Sequence, residues 1–218
     1  MFSILQEELS MIHGYHVIIP AYGFWLPNDP RGSWSDMVRK WELLRFGPST
    51  KSLERRTLDE LTVEEQRQRE QARRALVYSP VHFTDEQILH IAAGFAQRIK
   101  RSNYTVWACA ILPEHTHLVI ARHVFEVEKI ANQLKGAATR ELQRLGTHPH
   151  ANCKRQGKRM PHMWAENQWK VYLDSEQAID NAIHYVRENP QREGAAPQDW
   201  YWVTPFAGIE KHAWITYH

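Results

Sequence analysis

The chain divides into stretches whose apolar positions alternate and stretches whose apolar positions recur with a helical period. "YHVIIPAYG" (15–23) reads as a first strand closed by Gly23, and "FWLPNDPRGSW" after it is too dense in Pro, Gly, Asn and Asp to be anything but a loop. Residues 51–76 are charge-rich with sparse apolar positions, which predicts a solvated helix or a hairpin of helices. They form the heart of a helical insertion at about 40–78. In "FTDEQILHIAAGFAQRIKRSN" the spacing of Ile88, Ile91, Ala92, Phe95 and Ile99 is helical, with Thr84 as cap and Gln87 three residues on. Two short apolar strands follow, "TVWACAILP" and "HTHLVIARH", then an amphipathic helix, "EVEKIANQLKGAATRELQRLG", ending at Gly146. Residues 147–162 mix histidines and a basic run with turn formers and read as a loop. "WKVYLD" is a fourth strand. Asp174 or Ser175 caps a last helix, "EQAIDNAIHYVREN", which Pro190 is expected to stop. The tail, "PQDWYWVTPF", is aromatic and irregular.

The resulting order is β, insertion, α, β, β, α, β, α. Its core, β-α-β-β-α-β, is the ferredoxin-like arrangement, an α+β fold with an antiparallel sheet and helices on one face. The C-terminal helix and the insertion are additions to a single domain over 1–218. A chain of 218 residues with 43% apolar content supplies a sizeable core. Net charge is only +2, so nucleic-acid binding would need a local basic patch rather than a basic chain. Cys109 and Cys153 form no CxxC pair and no disulfide framework. No run of about 18 apolar residues predicts a membrane span, and "MFSILQEELS" does not read as a signal peptide. A cytoplasmic location is expected.

Candidate chemistry concentrates at two places. In "ILPEHTHLVI" (111–120), His115 and His117 share one strand face while Thr116, Leu118 and Ile120 point to the other. Two co-facing imidazoles on a stiff element can hold one metal ion; two partly buried histidines in an ordinary strand fit the same pattern. In "HYVRENP", Tyr185 and Asn189 stand four apart on one helical face. A boundary tyrosine with an asparagine near a helix end is the plain alternative.

Taken together, the His-x-His strand after Pro113-Glu114, the helix "QLKGAATRELQ" and the late helix with Tyr-x-x-x-Asn-Pro resemble the single-tyrosine HUH transposases. The closer resemblance is to their REP-associated tyrosine transposase branch, over roughly residues 13–206 outside the insertion. "WLPNDPRG" resembles a stretch of the same branch. The resemblance implies His115 and His117 as metal ligands, Tyr185 as nucleophile, Asn189 as the polar residue completing the metal site, and Lys135 as a helix position approaching DNA. Two positions depart from the pattern. Thr116 replaces a bulky apolar residue, and Asn189 stands where insertion-sequence members commonly carry the longer Gln.

The implied chemistry is self-consistent. A tyrosine hydroxyl, with a pKa of about 10, is a weak nucleophile at neutral pH. A divalent ion on a phosphate oxygen withdraws charge and orients phosphorus for in-line attack. Oxygen ligands suit Mg²⁺ and imidazoles favour Mn²⁺, so either is expected as cofactor. The product is a 5′-phosphotyrosine, whose stored bond permits rejoining. The expected partner is single-stranded DNA with palindromic or hairpin elements, as a flexible strand most easily brings its phosphodiester to a helix-borne tyrosine. Basic candidates for its backbone are Lys135, Arg140, Arg144, Lys154, Arg155, Lys158 and Arg159; Trp25, Trp34, Trp164 and Trp202 are candidate stacking platforms. Monomer and homodimer are both compatible with the sequence. Three rivals compete. A two-histidine phosphoesterase needs two His-x-Ser/Thr motifs, and only "HFT" at 82–84 matches. A zinc hydrolase finds no HExxH. A hairpin-binding protein without catalysis keeps the fold, but intact His115, His117 and Tyr185 speak for chemistry.

Overall fold

A computed structural model of the chain describes residues 11–24, 60–153 and 160–209. Four strands, β1 (Gly14–Pro20), β2 (Val106–Ile111), β3 (His115–Ala121) and β4 (Trp169–Leu173), form one sheet in the order β2-β3-β1-β4. Every pairing is antiparallel. This is the ferredoxin-like strand order expected from the sequence. It makes β1 and β3 the central pair, in a register that sets Ile18 opposite His117 and His16 opposite Val119.

Alternation gives the sheet two faces. On one, Tyr15, Val17 and Ile19 of β1 and Leu118 and Ile120 of β3 pack under helices α2 (Asp85–Ser102) and α3 (Val127–Leu145). Thr84 and Gln87 close a capping box at the start of α2, and Gly146 ends α3 in the left-handed region at φ 74°. The two helices meet where Gly94 lies against the α3 backbone: a Cβ there would stand 2.8 Å from the Ala138 Cα.

The other face is covered by α4 (Glu176–Arg192), whose Ile179, Ile183 and Val186 pack on Ala108, Ala110, Val119 and Leu173. The sheet is thus enclosed on both sides rather than on one. Pro190, expected to stop this helix, lies inside it. A proline there removes the hydrogen bond its N–H would have donated and crowds the carbonyl four residues before it. The turn continues because the Glu193 N–H donates to the Asn189 and Pro190 carbonyls and the Ala195 N–H to that of Pro190. The C-terminal tail runs along edge strand β2. The Gln198 amide accepts from the Ile111 N–H at 2.8 Å and donates to its carbonyl at 2.7 Å, and the Thr204 N–H donates to the Val106 carbonyl. An edge that would otherwise invite pairing is covered.

Of the insertion, the described part contains helix α1 (Val63–Arg74), capped by Thr62 and Glu65 and burying only Ala72. The rest of it lies outside the described residues, as do Trp25, Trp34, Lys154, Arg155, Lys158 and Arg159. No helix among the described residues is long and apolar enough to cross a membrane.

Candidate active site

The α4 face of the sheet carries an imidazole cluster. His115 and His117 on β3 are both buried there, with ring centroids 4.7 Å apart. β1 contributes a third ring. His16 Nε2 lies 3.0 Å from His117 Nδ1, and burial pushes the His16 pKa down to about 4, so its ring is neutral at neutral pH. Phe24 stacks on His115 at 4.7 Å.

Helix α4 lays a polar stripe over these rings. Tyr185, Asn189 and Glu193 follow one another at four-residue intervals and share a helix face. Tyr185, half-buried, sits edge-on to both His117 and His16, at 5.6 and 5.7 Å between centroids. One turn past Asn189, Glu193 Oε1 lies 3.7 Å from His115 Nε2. The stripe therefore runs antiparallel to β3, and Asn189 falls between its two ends. Asn189 is buried, and its Oδ1 has no hydrogen-bond partner among the described residues. Arg192 completes the surroundings, its Cζ 5.5 Å from the Tyr185 ring centre, while Glu188 holds its guanidinium.

A buried carbonyl oxygen without a donor costs free energy unless something else takes its lone pairs. With two imidazoles on the facing strand, Asn189 Oδ1 makes a donor set that fits a divalent cation. Among the described residues no group of three or more His, Cys, Asp or Glu could hold a metal. An ion here would rely on the amide oxygen and leave its remaining positions to water or a phosphate.

The structure thus gathers His115, His117, Tyr185 and Asn189 in one place. Of the basic candidates among the described residues, Lys135, Arg140 and Arg144, it brings none there. Lys135 is buried on α3, across the sheet. Its Nζ donates to the carbonyls of Ala165 at 3.1 Å and Glu166 at 3.3 Å, and to Gln168 Oε1 at 3.1 Å. Burial lowers its pKa to about 8. These contacts tie Lys135 to the segment leading into β4. Trp164, a candidate stacking platform, is core: it packs on Phe83 at 5.0 Å, and its Nε1 donates to the Lys135 carbonyl. Arg144 is exposed and forked onto Glu141. Arg140 is exposed and lines an open groove of about 610 Å³ with Arg98 and Lys129. Trp202 stacks on Trp200 at 6.2 Å.

Sequence reasoning missed His16, Phe24, Glu193 and Arg192. A signal existed for His16: in the ferredoxin-like order β1 and β3 are neighbours, so a polar residue on β1 can face the β3 histidines. Glu193 and Arg192 were hidden by the expectation that the helix stops at Pro190.

No protein-family model matches the chain, and no curated protein matches it in sequence. Two solved structures share part of the arrangement. One, described as a REP-associated tyrosine transposase bound to a REP hairpin, matches with a TM-score of 0.44 at 10% identity, over 90% of this chain and 76% of that one. The other, a Deinococcus radiodurans protein assigned provisionally as a transposase, matches with a TM-score of 0.39 at 12% identity, over 88% of this chain and 99% of that one. Likeness at this level speaks to neither activity nor ligand.

Proposed function

We propose that this chain is a DNA-nicking and joining enzyme that acts on single-stranded, hairpin-bearing DNA with Tyr185 as nucleophile. The observation that carries the reading is the placement of the Tyr185 ring against His117 and His16, one helical turn before the buried, unsatisfied Asn189 oxygen. In this reading the Tyr185 oxygen attacks a backbone phosphorus in line. The Tyr185 O–P bond forms as the P–O3′ bond breaks. The phenolic proton passes to solvent, and the departing 3′ oxygen takes one up. The 5′-phosphate stays on Tyr185 until a 3′-hydroxyl reverses the exchange. His115, His117 and Asn189 would hold Mg²⁺ or Mn²⁺, which neutralises charge on the phosphate and orients it. The packed sheet and helix fix the nucleophile relative to those ligands, as in-line attack requires. Arg192, beside the tyrosine ring, offers a cation to the phosphate backbone.

The test is covalent trapping. Protein incubated with end-labelled single-stranded hairpin DNA and Mn²⁺ should carry the label through denaturing electrophoresis, and peptide mapping should place it on the fragment containing residue 185. Tyr185→Phe should keep fold and DNA affinity while cleavage falls by orders of magnitude. Cleavage without an adduct would make water the nucleophile and defeat the reading. Binding with neither cleavage nor adduct would leave a hairpin-binding protein.

A further inference from the structure

We propose that His16 is a positioning residue for the metal site: it accepts a hydrogen bond from the His117 Nδ1–H and so holds His117 in the tautomer whose Nε2 carries the lone pair a divalent cation would take. This role rests on the metal-binding part of the proposed function. It goes beyond that function by assigning a task to a residue outside the ligand set.

A neutral imidazole has one donor nitrogen and one acceptor nitrogen. His16 Nε2 and His117 Nδ1 lie 3.0 Å apart, and when both rings are neutral one proton lies between them, so two arrangements are open. If His16 donates, His117 must carry its own proton on Nε2 and has no lone pair there to give. If His117 donates, the lone pair is on its Nε2, the nitrogen that would ligate. A ligating histidine usually donates its second N–H to a fixed acceptor, which sets both tautomer and ring orientation. His16 is built to be that acceptor. β1 is hydrogen-bonded to β3 on one side and β4 on the other, so its backbone has little freedom. The register places His16 diagonally from His117 on the same sheet face, within reach of a long side chain. The His16 ring is also wedged edge-on against Tyr185, so one side chain braces both a ligand and the nucleophile.

Two variants of the full chain separate positioning from packing. His16→Phe keeps a ring against His117 and Tyr185 but has no acceptor. His16→Gln puts back an amide oxygen that can accept. Long-range ¹⁵N–¹H correlation spectra of the metal-free wild type should show His117 protonated on Nδ1 and bare on Nε2. Mn²⁺ affinity, read by titration without DNA, should fall about 10- to 100-fold in His16→Phe and largely return in His16→Gln. An Nε2-protonated His117 in the wild type would overturn the proposal, and this needs no variant to fold. So would wild-type Mn²⁺ affinity in His16→Phe, or a wild type that binds no Mn²⁺. Adduct formation is read separately. If Mn²⁺ binding and the tautomer are as stated but Tyr185 forms no adduct, the nicking reading fails and the role of His16 stands. If the adduct forms while His16→Phe leaves affinity unchanged, the role of His16 fails alone.

Discussion

Replacing Lys135 by Met tests whether this lysine holds the fold or the DNA. Methionine keeps the length of the stem and removes the ammonium. Three N–H···O contacts, to Ala165, Glu166 and Gln168, are lost. Hydrogen bonds from a charged donor contribute about 1.5–3 kcal/mol each, so the gross loss is about 5–9 kcal/mol. Against it stands the relief of no longer burying a charge. A pKa lowered from 10.5 to about 8 is 2.5 units, and at about 1.4 kcal/mol per unit that burial costs about 3 kcal/mol. Part of the remaining loss is recovered as water reaches the freed carbonyls on a surface segment. The net expectation is a destabilisation of about 2–4 kcal/mol. In a chain of 218 residues that lowers Tm by roughly 4–16 °C.

The same lysine imposes a pH dependence with a definite sign. The folded chain releases the Lys135 proton near pH 8, while the unfolded chain keeps it to about 10.5. Between those values the unfolded state binds more protons, so stability rises with pH. Three oxygen acceptors oppose the deprotonation, so the gap between wild type and Lys135→Met should widen by about 1–3 kcal/mol from pH 8 to pH 10.5. Urea denaturation of both proteins across that range measures it, and other titrating groups cancel in the difference. The reasoning is refuted if Lys135→Met is as stable as the wild type at pH 7, or if the gap narrows as pH rises. A phosphate contact would show itself differently. It would leave stability unchanged while the salt slope of single-stranded DNA binding falls by about 0.7.

Three further outcomes follow from named contacts. Asn189→Leu keeps the branched shape and removes the unsatisfied buried oxygen, so unfolding free energies from denaturant titration should hold or rise by up to about 2 kcal/mol while Mn²⁺ affinity and cleavage drop; lower stability with full Mn²⁺ affinity would contradict the placement of that oxygen. Gly94→Ala gains about 1 kcal/mol of helix propensity but drives a methyl to 2.8 Å from the Ala138 Cα, where overpacking costs about 1–3 kcal/mol, so thermal melts should show net destabilisation of about 1 kcal/mol. Binding of a single-stranded hairpin should weaken log-linearly with salt and exceed that of a hairpin-free duplex of equal length, by fluorescence anisotropy; equal affinity and cleavage for the duplex would oppose the single-strand reading.

The sequence was most legible where function lies within one element. Alternation alone put His115 and His117 on one face of β3, and a four-residue spacing put Tyr185 and Asn189 on one face of α4; the structure shows both pairs so disposed. Legibility failed where two elements meet. His16 gains meaning only through the β1–β3 register, which is a property of the pairing and not of "YHVIIP". Lys135 was assigned from the resemblance and its charge, and it stands four residues from Ala131 and three from Ala138, on the buried side of α3. Its spacing carried the better information, because burial follows from helix phase whatever the residue. Trp164 failed for the opposite reason. It sits outside any periodic stretch, so nothing local told a stacking platform from a core residue.

The residues proposed for chemistry and two of those expected to hold DNA lie on different faces of the sheet. Chemistry, if Tyr185 is the nucleophile, belongs to the α4 face, where Tyr185, the imidazoles and Arg192 meet. Arg140 and Arg144 are on α3, which packs on the opposite face of the sheet. A layer of strands stands between their helix α3 and the Tyr185 ring. If they contact DNA at all, it is DNA passing along the outside of the α2–α3 pair, beside the groove that Arg98 and Lys129 share with Arg140. Substitutions there should therefore change affinity and its salt dependence without changing the rate of adduct formation at saturating DNA, whereas loss of Arg192 should change that rate. Binding through Arg140 and Arg144 and cleavage at Tyr185 would then be separable by mutation, because α3 and α4 pack on opposite faces of the sheet.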